Sequence, residues 1–373
     1  MSGTVKKDGA RGTWFLVVDL PADPATGKRQ QLRRRGFPTK KEAEAKLAEI
    51  VADGNRGVFV RPTHGTLAEY LEQWLESRAV NLRPSTMYGY EKIVRRRITP
   101  ALGTAKLSDL TTADLERWYA SLVTGGLSPK TVANTAGVLS AALSDAVRLK
   151  LLRHNPAAEA RLPRRERREM SAWTEVEAAA FLVAVKDHRL APIWRLMLAT
   201  GLRRGELCGL RWKDVDLSAG TLEVAETRVV AHDVVTGAPK TRAGARIIAL
   251  DAGTVAALTA WRRRQAAERL AAGPAWVDHS LVLVDEVGVP PHPETVTRWW
   301  SEAATSVGAR PIRLHDARHT AATMLLRAGQ PVKVVTQRLG HADVAVTMRI
   351  YQHVTAQDDR EAADALGRAL GGL

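Results

Sequence analysis

What is scarce in these 373 residues narrows the field first. A single cysteine, Cys208, allows no intramolecular disulfide and no cysteine cluster for zinc. No apolar run approaches the roughly 18 residues of a membrane-crossing helix, so no membrane partner is expected. Residues 1–12 are polar and lack the apolar core of a secretory signal, and the expected location is the cytoplasm. Neither Gly-x-x-x-x-Gly-Lys-Ser/Thr nor Gly-x-Gly-x-x-Gly occurs, which removes the usual seats for a nucleotide, and no cofactor is expected.

What remains is a chain that folds and is strongly basic. At 45% hydrophobic and 25% charged it can bury real cores, and its length suggests two or three domains of roughly 150 residues each. The 55 Lys+Arg against 40 Asp+Glu leave a net charge of +15. A pI near 10.3 favours a polyanionic partner, most simply nucleic acid bound with release of counterions. The alternative is a basic enzyme whose charge serves solubility alone.

The pattern of segments predicts a mainly α protein with small β-sheets (α+β), in three parts. Residues 1–62 read as a small sheet plus a helix. TWFLVVDL (13–20) is rich in β-formers, KRQQLRRRGF is basic and strand-like, and Thr39 caps a helix with Ala43, Leu47 and Ile50 on one side and Gly54 as its stop. Arg29, Arg33, Arg34 and Arg35 make that sheet a candidate DNA face, or simply a solvated basic hairpin. Residues 63–162 read as four helices. Thr66 and Glu69 form a capping-box pattern, and Val132, Val138, Leu139, Ala142, Leu143 and Val147 are core candidates on the fourth helix. Residues 156–170 are proline-flanked and charge-dense, as in an exposed linker. Residues 163–373 alternate helices with strands at TLEVAETRVV and ARIIAL, and end in an amphipathic stretch with Ala362, Leu366 and Leu370 at helical spacing.

Four local patterns in the last part carry chemistry. In TGLRRGEL, Gly201 permits a sharp turn and Arg203 opens the next helix, where an arginine is otherwise an ordinary solvated cap. In PKTRAGAR, Lys240 sits at the expected tip of a hairpin, where a lysine is usually just exposed. In LHDARHT, His315 and Arg318 stand at i and i+3 on one helix face, a cation fork beside an imidazole that suits a phosphate and a proton transfer. The last pattern is LGH, ending at His341, with Tyr351 ten residues on. A tyrosine is more often a half-buried core residue than a nucleophile, because its hydroxyl must first lose a proton with a pKa of about 10. His315 and His319 at i and i+4 also match a zinc spacing, but that reading needs a third ligand, and Asp316 stands where the zinc-protease pattern has glutamate.

Taken together, Arg203, Lys240, His315, Arg318, His341 and Tyr351 stand in the order and approximate spacing of the tyrosine recombinases of the phage-integrase type, and the chain resembles that family. The resemblance covers residues 171–355 and extends more loosely upstream, where residues 63–162 resemble a helical core-site DNA-binding domain and residues 1–62 a three-stranded arm-site-binding domain. It implies a mixed α/β catalytic domain at 163–373 that breaks and rejoins DNA. Arg203 and Arg318 would hold the phosphate oxygens, Lys240 would protonate the departing 5′ oxygen, and His315 would assist proton transfer at the tyrosine. His341 would hydrogen-bond the phosphate, and Tyr351 would form a 3′-phosphotyrosyl bond. Neither metal nor ATP is implied. Glu206 would fix the arginine or its helix, Asp316 and His319 would support the site from behind, and Cys208 would pack in the core.

The resemblance further implies double-stranded attachment sites as substrate, a homotetramer on DNA, and a host DNA-bending protein and an excision factor as further partners. The basic modules would hold a duplex from opposite sides, with the linker crossing between them, and the segment after Tyr351 would dock on a neighbouring protomer or else pack on its own domain. Rivals are a resolvase or transposon recombinase with the same chemistry, a catalytically silent DNA-binding regulator, and a zinc hydrolase built on His315 and His319.

Overall fold

The computed structural model describes residues 1–20, 30–55, 65–164, 172–239, 242–341, 343–345 and positions 348, 360, 364 and 366. They divide into two compact units, Met1–Glu166 and Arg167–Leu373. Helices dominate both, with small antiparallel sheets between them. Among the described residues no helix is long and apolar enough to cross a membrane.

The first unit holds two separate hydrophobic cores. One lies under a three-stranded antiparallel sheet, β1 (Ser2–Asp8), β2 (Thr13–Leu20) and β3 (Gln30–Phe37), in that order. Alternation along β2 turns Leu16 and Val18 toward helix α1 (Lys40–Asn55), where they meet Ile50 and the side of Leu47. Thr39 caps α1 by accepting the Glu42 N–H, while Gly54 lies inside the last turn instead of ending the helix. The opposite register positions carry Lys6, Phe15, Val17 and Arg33, since Lys6 pairs with Phe15 and Val17 with Arg33. Arg33 and Arg35 stand over the Phe15 ring at 5.1 and 5.7 Å, whereas Arg34 pairs with Leu16, in register with the helix-covered face. The expected basic face is thus divided, and Arg29 lies outside the described residues.

The second core of that unit is helical: α2 (Leu67–Ala79), α3 (Pro84–Ile93), α4 (Thr99–Leu102), α5 (Thr112–Thr124), α6 (Pro129–Arg148) and α7 (Pro156–Glu159). The capping box of Thr66 and Glu69 opens α2. Val132, Val138, Leu139, Ala142 and Leu143 are buried along α6, with Val147 at the margin. Between α3 and α4 a π-helical turn, Val94–Ile98, carries Arg95, Arg96 and Arg97. The start of the expected linker belongs to this core. Asn155 donates to Ser140 O at 2.9 Å, its side chain accepts the Ala157 N–H, and Pro156 is buried. The reason is a local cap that composition conceals: proline at the first helical position is pre-set for a turn.

The second unit packs helices α8 (Glu175–Ala184), α9 (Ala191–Thr200), α10 (Arg204–Gly209), α11 (Ala252–Ala272), α12 (Pro293–Ser306), α13 (Leu314–Arg327) and α14 (Val332–Leu339). Strands β4 (Val215–Asp216), β5 (Thr221–Glu223), β6 (Thr227–Val230), β7 (Val234–Gly237) and β8 (Ile247–Ala249) make one sheet of order β4-β5-β8 and a separate hairpin β6–β7. The stretch TLEVAETRVV, read as one strand, is therefore two strands in different sheets. Trp173, Trp194, Trp300 and Phe181 interlock at the centre, with ring centroids 4.9 to 5.6 Å apart. The Trp300 and Trp173 indoles donate to the Ile312 and Arg310 carbonyls at 2.9 Å, which ties the chain entering α13 to that centre.

Candidate active site

Three helix ends meet in the second unit, and two of them end the same way. α9 stops at Gly201 and α14 at Gly340, both in the left-handed conformation with φ of 64° and 66°. A side chain at Gly201 would run into Leu339, and one at Gly340 would lie 2.6 Å from Ala243 O. Glycine is thus required for backbone and space together. The final carbonyls of a helix lack intrahelical partners and carry the negative end of its dipole. Here arginines satisfy them. Arg318 on α13 donates to Gly201 O at 2.7 Å and to Leu339 O, and Arg203, at the N-cap of α10, donates to Gly340 O at 2.7 Å.

Glu206 sets the direction of Arg203. Its carboxylate accepts the Arg203 N–H at 2.8 Å and Arg203 Nη1 at 2.7 Å, then takes both terminal nitrogens of Arg246 at 3.2 and 3.0 Å. Burial pushes the Glu206 carboxyl up, but the bonds and charge of Arg246 and Arg203 outweigh it and hold the group below the usual carboxylate range. The carboxylate stays ionised with its lone pairs occupied. Arg318 is 2% exposed and binds only carbonyls in these contacts. Burial first, and then the neighbouring Arg203, push its guanidinium down to about 9. It remains a cation at neutral pH, and the cluster of Arg203, Arg246 and Arg318 exceeds the one carboxylate it encloses. An anion would relieve it.

The imidazoles sit in the same field. Burial and then Arg318 lower His315, and burial followed by Arg318 and Arg203 lowers His341 to about 4. Both are neutral at pH 7, able to accept or donate a hydrogen bond without adding charge. His319 packs edge-on against His315, with centroids 5.1 Å apart and planes at 89°, and its buried Nδ1 has no hydrogen-bond partner among the described residues. Asp316 is engaged by Arg313 through Nε and Nη2, both at 2.9 Å. Among the described residues no three His, Cys, Asp or Glu side chains group to hold a metal. Cys208 is buried on α10, and burial raises its thiol to about 11.

Of the six residues singled out in the sequence, Arg203, His315, Arg318 and His341 therefore come together, while Lys240 and Tyr351 lie outside the described residues. The strands expected to bracket Lys240 do pair, β5 with β8, Leu222 opposite Ile248. Between them lies a second hairpin, β6–β7, that turns at 231–233, where the Ala231 N–H donates to Asp233 O at 2.8 Å. Position 240 follows its second strand. Arg246, Arg313 and Arg338 escaped the sequence reading. Arg338 donates to Ala199 O at 3.0 Å, but only its distance to α9 in space, invisible in the chain, marks it.

Three family profiles match consecutive parts of the chain. They are an arm DNA-binding domain at residues 4–53, a phage integrase N-terminal SAM-like domain at 66–123, and the phage integrase family at 173–358. An integrase of Streptomyces ambofaciens is 30% identical over 361 residues, 94% of this chain and 92% of its own. The Tn1549 transposon integrase, solved in complex with a circular intermediate DNA, superposes with a TM-score of 0.71 at 21% identity, over 81% of this chain and 99% of its own. A lambda integrase tetramer bound to a Holliday junction gives a TM-score of 0.59 at 19% identity, over 91% and 95%. Similarity that runs nearly end to end in both sequences, around a glycine-capped arginine cluster, makes this chain a member of the phage integrase family of tyrosine recombinases, and so a site-specific recombinase.

Proposed function

We propose that the protein cuts and rejoins duplex DNA at a pair of attachment sites, through a covalent 3′-phosphotyrosyl intermediate, to integrate a phage or other integrative element. The observation that carries this reading is the surplus of oriented cations around Arg318 and Arg203, flanked by two neutral imidazoles. A phosphodiester supplies the missing anion. Guanidinium is suited to the task because it stays charged and binds two oxygens at once.

In the proposed step the Tyr351 hydroxyl gives its proton to His315 and its oxygen attacks phosphorus. The bond from phosphorus to the 5′ oxygen breaks, and Lys240 protonates that oxygen as it leaves. Arg203 and Arg318 hold the non-bridging oxygens as charge builds, with His341 as a further donor. The freed hydroxyl of a partner strand reverses the step, so the bond energy is conserved and no ATP is needed. Residues 1–62 would bind arm sites through the face of Lys6, Phe15, Arg33 and Arg35, residues 63–162 the core site, and residues 163–373 would do the chemistry. The working assembly is a tetramer on DNA in the cytoplasm, with a host DNA-bending protein and an excision factor as further partners.

The test is a nicked duplex carrying the DNA that flanks the gene, incubated without metal or ATP and run on a denaturing gel. Wild type should give a covalent adduct and Tyr351→Phe none, with equal duplex binding. An adduct from both moves the nucleophile elsewhere; tight binding with no adduct from wild type points to a DNA-binding regulator.

A further inference from the structure

Arg246 has no part in the step just described, yet it joins three segments of the site. Its carbonyl accepts the Val224 N–H at 2.8 Å, which fixes its backbone at the entry to β8. From there Nε donates to Arg338 O at 2.6 Å, in the last turn of α14 just before His341. Nη1 donates to Gly244 O at 2.9 Å, in the short turn Arg242–Gly244 that begins two residues past Lys240. Both terminal nitrogens reach Glu206, which aims Arg203. The turn and the α14 cap are pressed together at this point, since a side chain on Gly340 would lie 2.6 Å from Ala243 O and 2.8 Å from Arg246 Nη1. The Arg246 side chain is only 7% exposed, and each of its three nitrogens already donates to an acceptor of the protein. Its five donors in a planar fork are what lets one residue meet acceptors from three directions, a geometry lysine lacks.

We infer that Arg246 is a positioning residue that couples the phosphate-holding side of the site, Arg203 and His341, to the loop that carries the leaving-group acid Lys240. The inference rests on the recombinase reading above. It is tested with two nicked duplexes, one with an ordinary 5′ bridging oxygen and one with a 5′ bridging sulfur, which departs as a thiolate without a proton. Arg246→Gln is compared with wild type at equal saturation by duplex. On oxygen the single-turnover rate should fall about 100-fold, and on sulfur the deficit should shrink by about tenfold, the residue reporting Arg203 alone. An equal deficit on both substrates, or none on either, overturns the coupling. Misfolding would register as lost duplex binding, and Arg246→Lys, which retains the charge beside Glu206, then takes its place in the same comparison with the same outcomes. If wild type itself forms no adduct on either duplex, the recombinase reading fails and takes this inference with it; a wild-type adduct with equal deficits sinks the inference alone.

Discussion

Two sets of arginines in this protein are put to opposite uses. Arg33 and Arg35 ride on the open face of the N-terminal sheet, stacked over Phe15 and surrounded by water. Arg318 is buried and the Arg246 side chain is only 7% exposed, both oriented by backbone carbonyls and Arg246 also by one carboxylate. An exposed guanidinium is free to follow a phosphate backbone and is screened by salt. A buried one is held in place before any ligand arrives, in surroundings where its charge counts for more. The difference teaches that net charge alone says little. The same residue type gives affinity in one place and directed electrostatics in the other, and burial decides which.

The comparison breaks most visibly at Arg318. Replacement by Gln should lower single-turnover adduct formation by about 100- to 1000-fold, with duplex binding changed only a few-fold. Retention of rate within about tenfold would make this arginine a structural strut and no more. The Gly201 and Leu339 carbonyls would also lose their donor, so a thermal melt belongs beside the gel.

A smaller effect is expected from Gly201→Ala. The left-handed backbone alone costs about 1–2 kcal/mol for a residue with a side chain, and the contact with Leu339 adds to it. Urea unfolding that shows no loss would mean the α9 cap relaxes without disturbing Arg318.

Acid should act on the buried set and spare the exposed one. His341 is neutral when folded, with its titration lowered to about 4 against an ordinary 6.5. Between those values the unfolded chain binds a proton that the folded chain refuses, so stability falls as pH drops from about 6.5 toward 4. His341→Gln should flatten that part of a plot of melting midpoint against pH. An unchanged slope would assign the acid sensitivity to other groups.

The smallest changes belong to the sheet. Arg33→Ala and Arg35→Ala should leave stability within about 0.5 kcal/mol. Each should weaken binding to arm-site DNA a few-fold and reduce the salt slope by about 1, while the adduct rate on a core duplex stays at the wild-type value. A loss of adduct rate on the core duplex would erase the distinction between the two sets.

Much of the local structure was legible because its causes are local. The capping box at Thr66 and Glu69, the stop at Gly201, and the shared face of His315 and Arg318 all depend on residues within one helical turn. The break inside TLEVAETRVV was not, for Val224, Ala225 and Glu226 carry no glycine or proline to mark it. The strand divides because β8 pairs with one half and β7 with the other, and both partners lie further along the chain. The additional hairpin turn at 231–233, inside the connection between β5 and β8, is similarly unmarked by glycine or proline.

The sequence by itself determined the helical periods, the caps, the basic surplus of +15 and the order of the six residues on which the family resemblance rests. Tertiary structure alone decided which arginines leave water and what they hold. Arg203 meets the carbonyl of Gly340 across 137 positions of chain, and Arg246 meets Glu206 across 40. Contacts of that separation depend on how whole helices pack, and packing is a sum over the entire core instead of a property of any short stretch of residues.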